Sequence, residues 1–370
     1  MAEVLDWQLQ SGRRLILESA VQELERGGLV VFPTDTSYAL AGSALAPAAV
    51  EKLLALKPAD EIPVLALASP GQALDWVPRM SPLGRRLARR LWPGPVTLVF
   101  PDAADGLASQ LPEGMRASLC PAGSVALTVP GHEALAEILY HLPAPLVLVP
   151  LTPPAEATEI TTAQLSEVAG EAASLIVADG NRPTKPPSSI IRIEGTSWTM
   201  LREGAVLADE VARCTACVIL FVCTGNTCRS PMAEALCNKL LADRLQCSPQ
   251  ELAARGYHVV SAGLAAYPGD EASPEAVRAV QELGGDLTAH ASKPLTADLV
   301  LIADHLLAMT QGHLAAVLAR YGQYGPQPRL LDPTGGDVAD PVGADQEVYR
   351  ACARQIAQHL EQFLPELQLP

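Results

Sequence analysis

The stretch Val218–Leu236, VILFVCTGNTCRSPMAEAL, constrains the fold more than any other part of the chain. VILFVC is a short, continuous apolar run rich in β-branched and aromatic residues, as in a strand buried on both faces. A helix is expected over 231–243. Pro231 suits its first turn, where no backbone N–H is needed. A buried strand that passes through a short loop into a helix opens a parallel βα unit, so this region must fold in α/β layers. In such sheets ligands bind beyond the C-terminal ends of the strands, beside helix N-termini. Cys223 sits at that place, and Arg229 follows six residues later.

The intervening residues are small or polar: Thr224, Gly225, Asn226, Thr227 and Cys228. Their backbone N–H groups can turn inward and, with the helix N-terminus, form a nest for a tetrahedral dianion. The same positive field favours a thiolate at Cys223. Arg229 offers a planar fork that matches two phosphate oxygens, and Ser230 can donate to the thiolate. The chemistry implied is phosphoryl transfer to sulfur followed by hydrolysis, which splits one hard step into two easier ones. It requires an acid for the leaving group that then serves as base for water. Asp340, in GDVADPVG, is the leading candidate, and Asp332, in LLDPTGG, is its rival. A cysteine at a strand end is by itself most often core packing, so the reading rests on the whole loop.

The length of 370 residues points to two or three domains. We read 1–208 as a first α/β domain, 209–216 as a connection and 217–370 as a second domain. In the first, strands are expected at 29–32, 96–100, 124–129, 145–150 and 173–178, and helices at 47–56, 132–139 and 162–173. In the second, strands are expected at 218–223, 258–263, 298–303 and 329–331. Helices are expected at 231–243, 274–283, 313–322 and 345–364. That alternation predicts a doubly wound parallel sheet.

Net charge is −15, and both halves carry more acidic than basic residues, which disfavours long nucleic-acid tracks. Arg85, Arg86, Arg89 and Arg90 form a local basic cluster at helical spacing, equally read as a solvated face. The first residues lack a basic segment followed by an apolar one, and no apolar run reaches the roughly 18 residues that span a bilayer. Five of the eight cysteines lie between 214 and 237, which fits a reduced, cytoplasmic protein rather than a disulfide framework. Cys214 and Cys217 make a lone C-T-A-C pair, so no four-cysteine zinc site is expected. His258, His290 and His305 show no metal spacing and read as structural or exposed.

CTGNTCRSPMAEAL resembles the signature of the low-molecular-weight protein tyrosine phosphatase family. HVVSAG (258–263) resembles its second strand, ADLVLIAD (297–304) its third, and the Asp340-Pro341 pair its acid loop. The resemblance covers about residues 217–366. It implies Cys223 as nucleophile, Arg229 as phosphoryl-binding group and Asp340 as acid and base, with no cofactor and a phosphorylated protein as substrate. It also implies that the loop residues Thr224–Cys228 and Ser230 bind the substrate, and that Ser261 braces Asn226. Thr227, where other members carry Ile or Leu, is similar to the protein-arginine phosphatase subgroup. That implies phosphoarginine ahead of phosphotyrosine, although Val342 and Gly343 depart from the aromatic residues that follow the acid in relatives. Arsenate reductases share the loop but relay a disulfide through later cysteines, and none lies between Cys247 and Cys352.

GGLVVFPTDTSYALAG (27–42) resembles the start of the YrdC/Sua5 family of threonylcarbamoyl-AMP synthases, which use ATP, threonine and bicarbonate. LWPGPVTLVF (91–100), VALTVPGH (125–132), PPSSIIRI (186–193) and LREGAV (201–206) agree with it. Thr34, Thr36, Tyr38, Lys57 and Ser189 stand at matching places and mark a ligand pocket. Three elements depart from the family pattern. Ala59 replaces an arginine of a K-x-R pair, Thr128 replaces another arginine, and Leu151-Thr152-Pro153 replaces S-A-N. Fewer cations weaken a triphosphate site, so this half reads as an eroded domain with a scaffold or regulatory role. A tRNA-modifying synthase is the alternative function. ATP, threonine and bicarbonate are expected only in that case, and acidity weighs against RNA binding.

Overall fold

The computed structural model describes residues 2–9, 12–59, 61–102, 105–111, 114–151, 159–183, 186–322 and 325–367. The chain divides into two compact units, Met1–Cys214 and Thr215–Pro370.

The first unit is built on a ten-stranded mixed sheet. Its spatial order is Glu3–Asp6, Leu175–Ala178, Val30–Pro33, Tyr38–Ser43, Leu146–Pro150, Val64–Ala66, Ser124–Thr128, Val96–Pro101, Ser189–Glu194 and Ser197–Arg202. Side chains alternate between faces along each strand. Val31 and Leu40 enter one core, whereas Val30, Phe32, Ala39 and Ala41 enter the other. Both faces are therefore covered, which explains why these strands read as continuous apolar runs. The strand at Tyr38–Ser43 follows the PTDT turn, whose Thr34 Oγ1 accepts from Ser37 N at 3.1 Å. Most of the segment at 209–216 lies in a helix, Ala208–Thr215, with Asp209 and Glu210 in the first turn. Acidic residues there complement the helix dipole.

The second unit carries a four-stranded parallel sheet. Its elements, labelled within the unit, are β1 (Cys217–Cys223), α1 (Arg229–Leu245), β2 (Tyr257–Gly263), α2 (Pro274–Glu282), α3 (Ala297–Ile302), β3 (His305–Ala308), α4 (Gln311–Tyr321), β4 (Arg329–Leu330) and α5 (Gln346–Phe363). The strand order is β2-β1-β3-β4, with every neighbouring pair parallel. Ile219 and Phe221 face a core shared with α1 and α5. Leu220 and Val222 face a second core with Val300, Leu306 and Val317. Burying side chains of this size is worth about 1.5–3 kcal/mol each. Central β1 is thus the best anchored strand, and it delivers Cys223 to the sheet's C-terminal edge.

One expectation fails. Residues 298–303, read as a strand, form α3, and the third strand is His305–Ala308. Thr296 caps α3, its hydroxyl accepting from Leu299 N at 3.3 Å, and Asp298 lies in the first turn. A six-residue apolar run fits a short helix as well as a strand, and here the cap decides.

Candidate functional site

The Cys223 loop joins β1 to α1 and is held from below by β2. Leu264 N donates to Cys223 O at 3.0 Å, and Ala265 N donates to Thr224 O at 2.9 Å. Gly263, the last residue of β2, permits this approach. A Cβ there would lie 2.5 Å from Thr224 O and 3.0 Å from Asn226 N.

Asn226 shapes the loop. Its φ of 57° lies in the left-handed region, which asparagine tolerates better than most residues. Its side chain is wholly buried and fully bonded. Nδ2 donates to Ser230 Oγ at 3.0 Å and to Ser261 Oγ at 2.8 Å, and Oδ1 accepts from Lys293 N at 2.9 Å. Its carbonyl meets His290 Nε2 at 2.8 Å. Ser261 in turn donates to Glu234. Such a satisfied buried network rigidifies its members.

Cys223 is 3% exposed. Its Sγ lies 2.9 Å from Ser230 Oγ and accepts from Asn226 N at 3.3 Å. Ser230 Oγ accepts from Asn226 Nδ2, and its own proton is shared between the sulfur and the more distant Ala262 O at 3.4 Å. No side chain caps α1, whose N-cap position is Cys228, so the first N–H groups of the helix stay directed at the loop. Donors placed in this way suit a thiolate and a bound oxyanion.

Arg229 is buried and reaches the loop carrying Asp340. Nη2 donates to Asp340 Oδ2 at 2.6 Å, and Nη1 donates to Val338 O at 3.3 Å. The Asp340 side chain is half exposed, and its Oδ1 accepts from Val342 N at 3.2 Å. Asp332, the rival acid, is placed differently. Its Oδ1 accepts from Thr334 N at 2.8 Å and from Thr334 Oγ1 at 2.7 Å. The Thr334 hydroxyl, with help from the backbone, holds the Asp332 carboxyl below its ordinary range. A carboxylate stabilised in that way is a poor proton donor.

The remaining loop residues have distinct surroundings. Thr224 Oγ1 lies 2.8 Å from His313 Nε2. Thr227 O accepts from Ser273 N at 2.9 Å, and its Oγ1 lies 3.7 Å from Cys228 Sγ. Gly225 has only the Thr227 hydroxyl near the position of a Cβ. Cys228 Sγ lies 3.2 Å from Ser273 Oγ and 3.5 Å from Tyr349 Oη. Burial and that contact push the Tyr349 hydroxyl up to about 12. Cys352, behind the acid loop, is pushed up to about 12 by burial. All eight cysteines are free thiols.

Gly263, His290, Ser273, His313 and Tyr349 escaped the sequence reading as site residues. Only Gly263 left a local signal, as a glycine closing an apolar strand. Each of the others meets the loop across 45 or more residues.

In the first unit, Thr34, Thr36 and Tyr38 line a pocket with Asp35, Glu61, Thr128 and Arg202. Lys57 and Ser189 are used elsewhere. Lys57 Nζ donates to the carbonyls of Pro58 and Glu61, and Ser189 Oγ donates to Val206 O at 2.7 Å. Tyr38 is almost wholly buried and donates to Gly180 O at 2.7 Å. Arg202 pairs with Glu61, and Thr128 Oγ1 donates to Val96 O at 2.9 Å. Thr152 and Pro153 lie outside the described residues. Among the described residues, no group of three or more His, Cys, Asp or Glu side chains is placed to hold a metal ion, and no helix is long and apolar enough to cross a membrane.

Comparison with known proteins gives two family matches. The Sua5_yciO_yrdC family, described as "Telomere recombination", matches residues 22–204. The "Low molecular weight phosphotyrosine protein phosphatase" family matches residues 218–369. A protein-arginine-phosphatase of Bacillus subtilis (strain 168) is 40% identical over 153 residues, 40% of this chain and 95% of the relative. The low molecular weight protein-tyrosine-phosphatase PtpB of Staphylococcus haemolyticus is 33% identical over 140 residues, 37% and 91% of the two chains. A putative threonylcarbamoyl-AMP synthase of Mycobacterium tuberculosis (strain H37Rv) is 27% identical over 214 residues, 57% and 94% of the two.

Proposed function

The chain belongs to the low molecular weight phosphotyrosine protein phosphatase family through residues 218–369, and from that premise we propose that it removes phosphoryl groups from protein arginine by way of a phosphocysteine on Cys223. The observation that carries this reading is the convergence of Cys223, Ser230, Arg229 and Asp340 on one loop at the end of β1.

The Arg229 fork and the loop N–H groups take the phosphoryl oxygens. The Cys223 thiolate attacks phosphorus, forming S–P as the bond to the substrate nitrogen or oxygen breaks. Asp340, the half-exposed carboxyl beside Arg229, gives its proton to the leaving atom. Water then attacks phosphorus, its proton passes to Asp340, and the S–P pair of electrons returns to sulfur. Inorganic phosphate leaves. Ser230, hydrogen-bonded to Sγ at 2.9 Å, stabilises the departing thiolate in that second step. No cofactor is required. The substrate is a phosphorylated protein of a reducing, cytoplasmic compartment, which eight free thiols fit.

Phosphoarginine is favoured by the Thr227 hydroxyl, a polar group at the loop suited to orient the attacking water. Val342, 67% exposed, stands after the acid where relatives of both kinds carry an aromatic residue, and it does not separate the two substrates. The experiment is a side-by-side assay of phosphoarginine and phosphotyrosine peptides with wild type and Thr227→Ile. A strong arginine preference that weakens in the variant supports the reading. Equal turnover of both peptides by the wild type refutes the arginine preference.

For residues 22–204 we propose a scaffold or regulatory role. Lys57 donates to backbone carbonyls, and within the pocket Arg202 is paired with Glu61 and Thr128 donates to Val96 O, so little cationic charge is left for a triphosphate. ATP- and threonine-dependent pyrophosphate release by the purified chain would instead establish a synthase, with ATP, threonine and bicarbonate as its substrates.

A further inference from the structure

His313 lies on α4, outside the loop and outside the acid segment. It is buried, yet both ring nitrogens are bonded. Nδ1 lies 2.9 Å from Thr310 Oγ1, and Nε2 lies 2.8 Å from Thr224 Oγ1. Thr224 is the residue directly after the nucleophile, and His313 lies within the field of both Arg229 and Asp340. Burial, and after it the positive charge of Arg229, hold the imidazole below its ordinary value of 6.5. It is therefore neutral at neutral pH, with one donor and one acceptor nitrogen.

Which nitrogen carries the proton follows from Thr310. Its hydroxyl caps α4 and accepts from His313 N at 3.2 Å. The oxygen is thus already an acceptor, and its proton has His313 Nδ1 as its partner. Nδ1 then accepts, so Nε2 bears the hydrogen and donates to Thr224 Oγ1. The opposite tautomer would load the Thr310 oxygen with two donors and leave its proton unused.

We propose that His313 is a positioning residue that turns the Thr224 hydroxyl proton away from itself and toward the phosphoryl group bound over Cys223. The donor chain runs from Thr310 to His313 to Thr224 to a phosphoryl oxygen. Each donor polarises the next, so Thr224 binds a developing dianion better than an isolated hydroxyl would. This rests on the phosphatase reading given above.

The test is a double-mutant cycle in the full chain, with an aryl phosphate as substrate and inorganic phosphate as competing ligand. Thr224→Val and His313→Ala should each lower kcat/KM about tenfold and weaken phosphate inhibition by a similar factor, the scale of one lost hydrogen bond to a charged group. The double variant should lose no more than either single one. His313→Gln, whose amide can donate to Thr224, should recover most of the loss. Nitrogen NMR of the wild type should report a neutral Nε2–H imidazole at His313, a readout that needs no variant to fold. Additive losses, no loss in Thr224→Val, or an Nδ1–H imidazole would overturn the inference. A wild type inert toward phosphoarginine peptides as well as every phosphoester would sink the phosphatase reading instead, and the tautomer and phosphate binding would still decide this one.

Discussion

Arg229 and Asp340, 111 positions apart, are joined by a hydrogen bond of 2.6 Å between Nη2 and Oδ2. The arginine is buried and the aspartate is half exposed. In the proposed mechanism this pair couples the phosphoryl-binding group to the acid, because a dianion that takes the Arg229 fork competes with the carboxylate for it and so releases Asp340 toward the leaving atom.

Replacing that acid should therefore hurt chemistry far more than folding. Asp340→Ala should lower kcat by about 10²–10⁴-fold, the range for losing a general acid. Poor leaving groups should suffer most, and activated aryl phosphates least. Asp332→Ala should leave kcat within a few fold, because Asp332 is bonded to Thr334. Steady-state assays over a series of leaving groups check both, and a larger loss in Asp332→Ala would reverse the assignment.

Gly263 is predicted to be essential for a purely steric reason. In Gly263→Ala the new Cβ would meet the Thr224 carbonyl at 2.5 Å and the Ala266 Cβ at 2.8 Å. Overpacking of this kind costs about 1–3 kcal/mol, and relief requires moving the loop. Urea unfolding of the second unit should show that loss. Activity should fall further than the unfolded fraction explains, since Asn226 is displaced with Thr224. Unchanged kcat/KM in a folded Gly263→Ala variant would contradict the role of this contact.

The Cys223 loop was legible in the sequence because its chemistry is local. Eight consecutive residues supply the thiol, the N–H groups, the arginine and the serine, and the preceding apolar run fixes where they stand. The parallel sheet was legible for a similar reason, in the alternation of apolar runs with helical segments. Residues 298–303 were misread because α3 is too short for its period to show, and its distinguishing signal is the single cap at Thr296. His290 and His313 were invisible as site residues. They reach the loop over 64 and 89 positions, and no spacing within their own helix or loop marks them. The first unit shows the converse. Lys57 and Ser189 sit at matching positions in sequence, yet both are occupied by backbone partners.

His313 also predicts a pH dependence of stability. Its folded value lies below 6.5, so the unfolded chain binds the proton more readily as pH falls through 6.5. Stability contributed by the neutral ring is present above that value and declines below it, down to the folded value. His132, in the first unit, is shifted in the same direction by burial. The comparison must therefore be with His313→Gln, which keeps His132. Denaturant midpoints of the second unit at pH 7 and pH 5 should fall more in the wild type than in the variant. Equal falls would show that His313 is not held neutral.

The central claim is that Cys223 carries the phosphoryl group, and rapid-quench mass spectrometry during turnover of an aryl phosphate tests it most directly. The account predicts one added phosphoryl group on the peptide containing Cys223. In Asp340→Ala, slowed hydrolysis of the adduct should make it accumulate, and in Cys223→Ser turnover should cease while the fold is kept. Phosphorylation of any other residue during turnover, or a Cys223→Ser variant as fast as wild type, would contradict it.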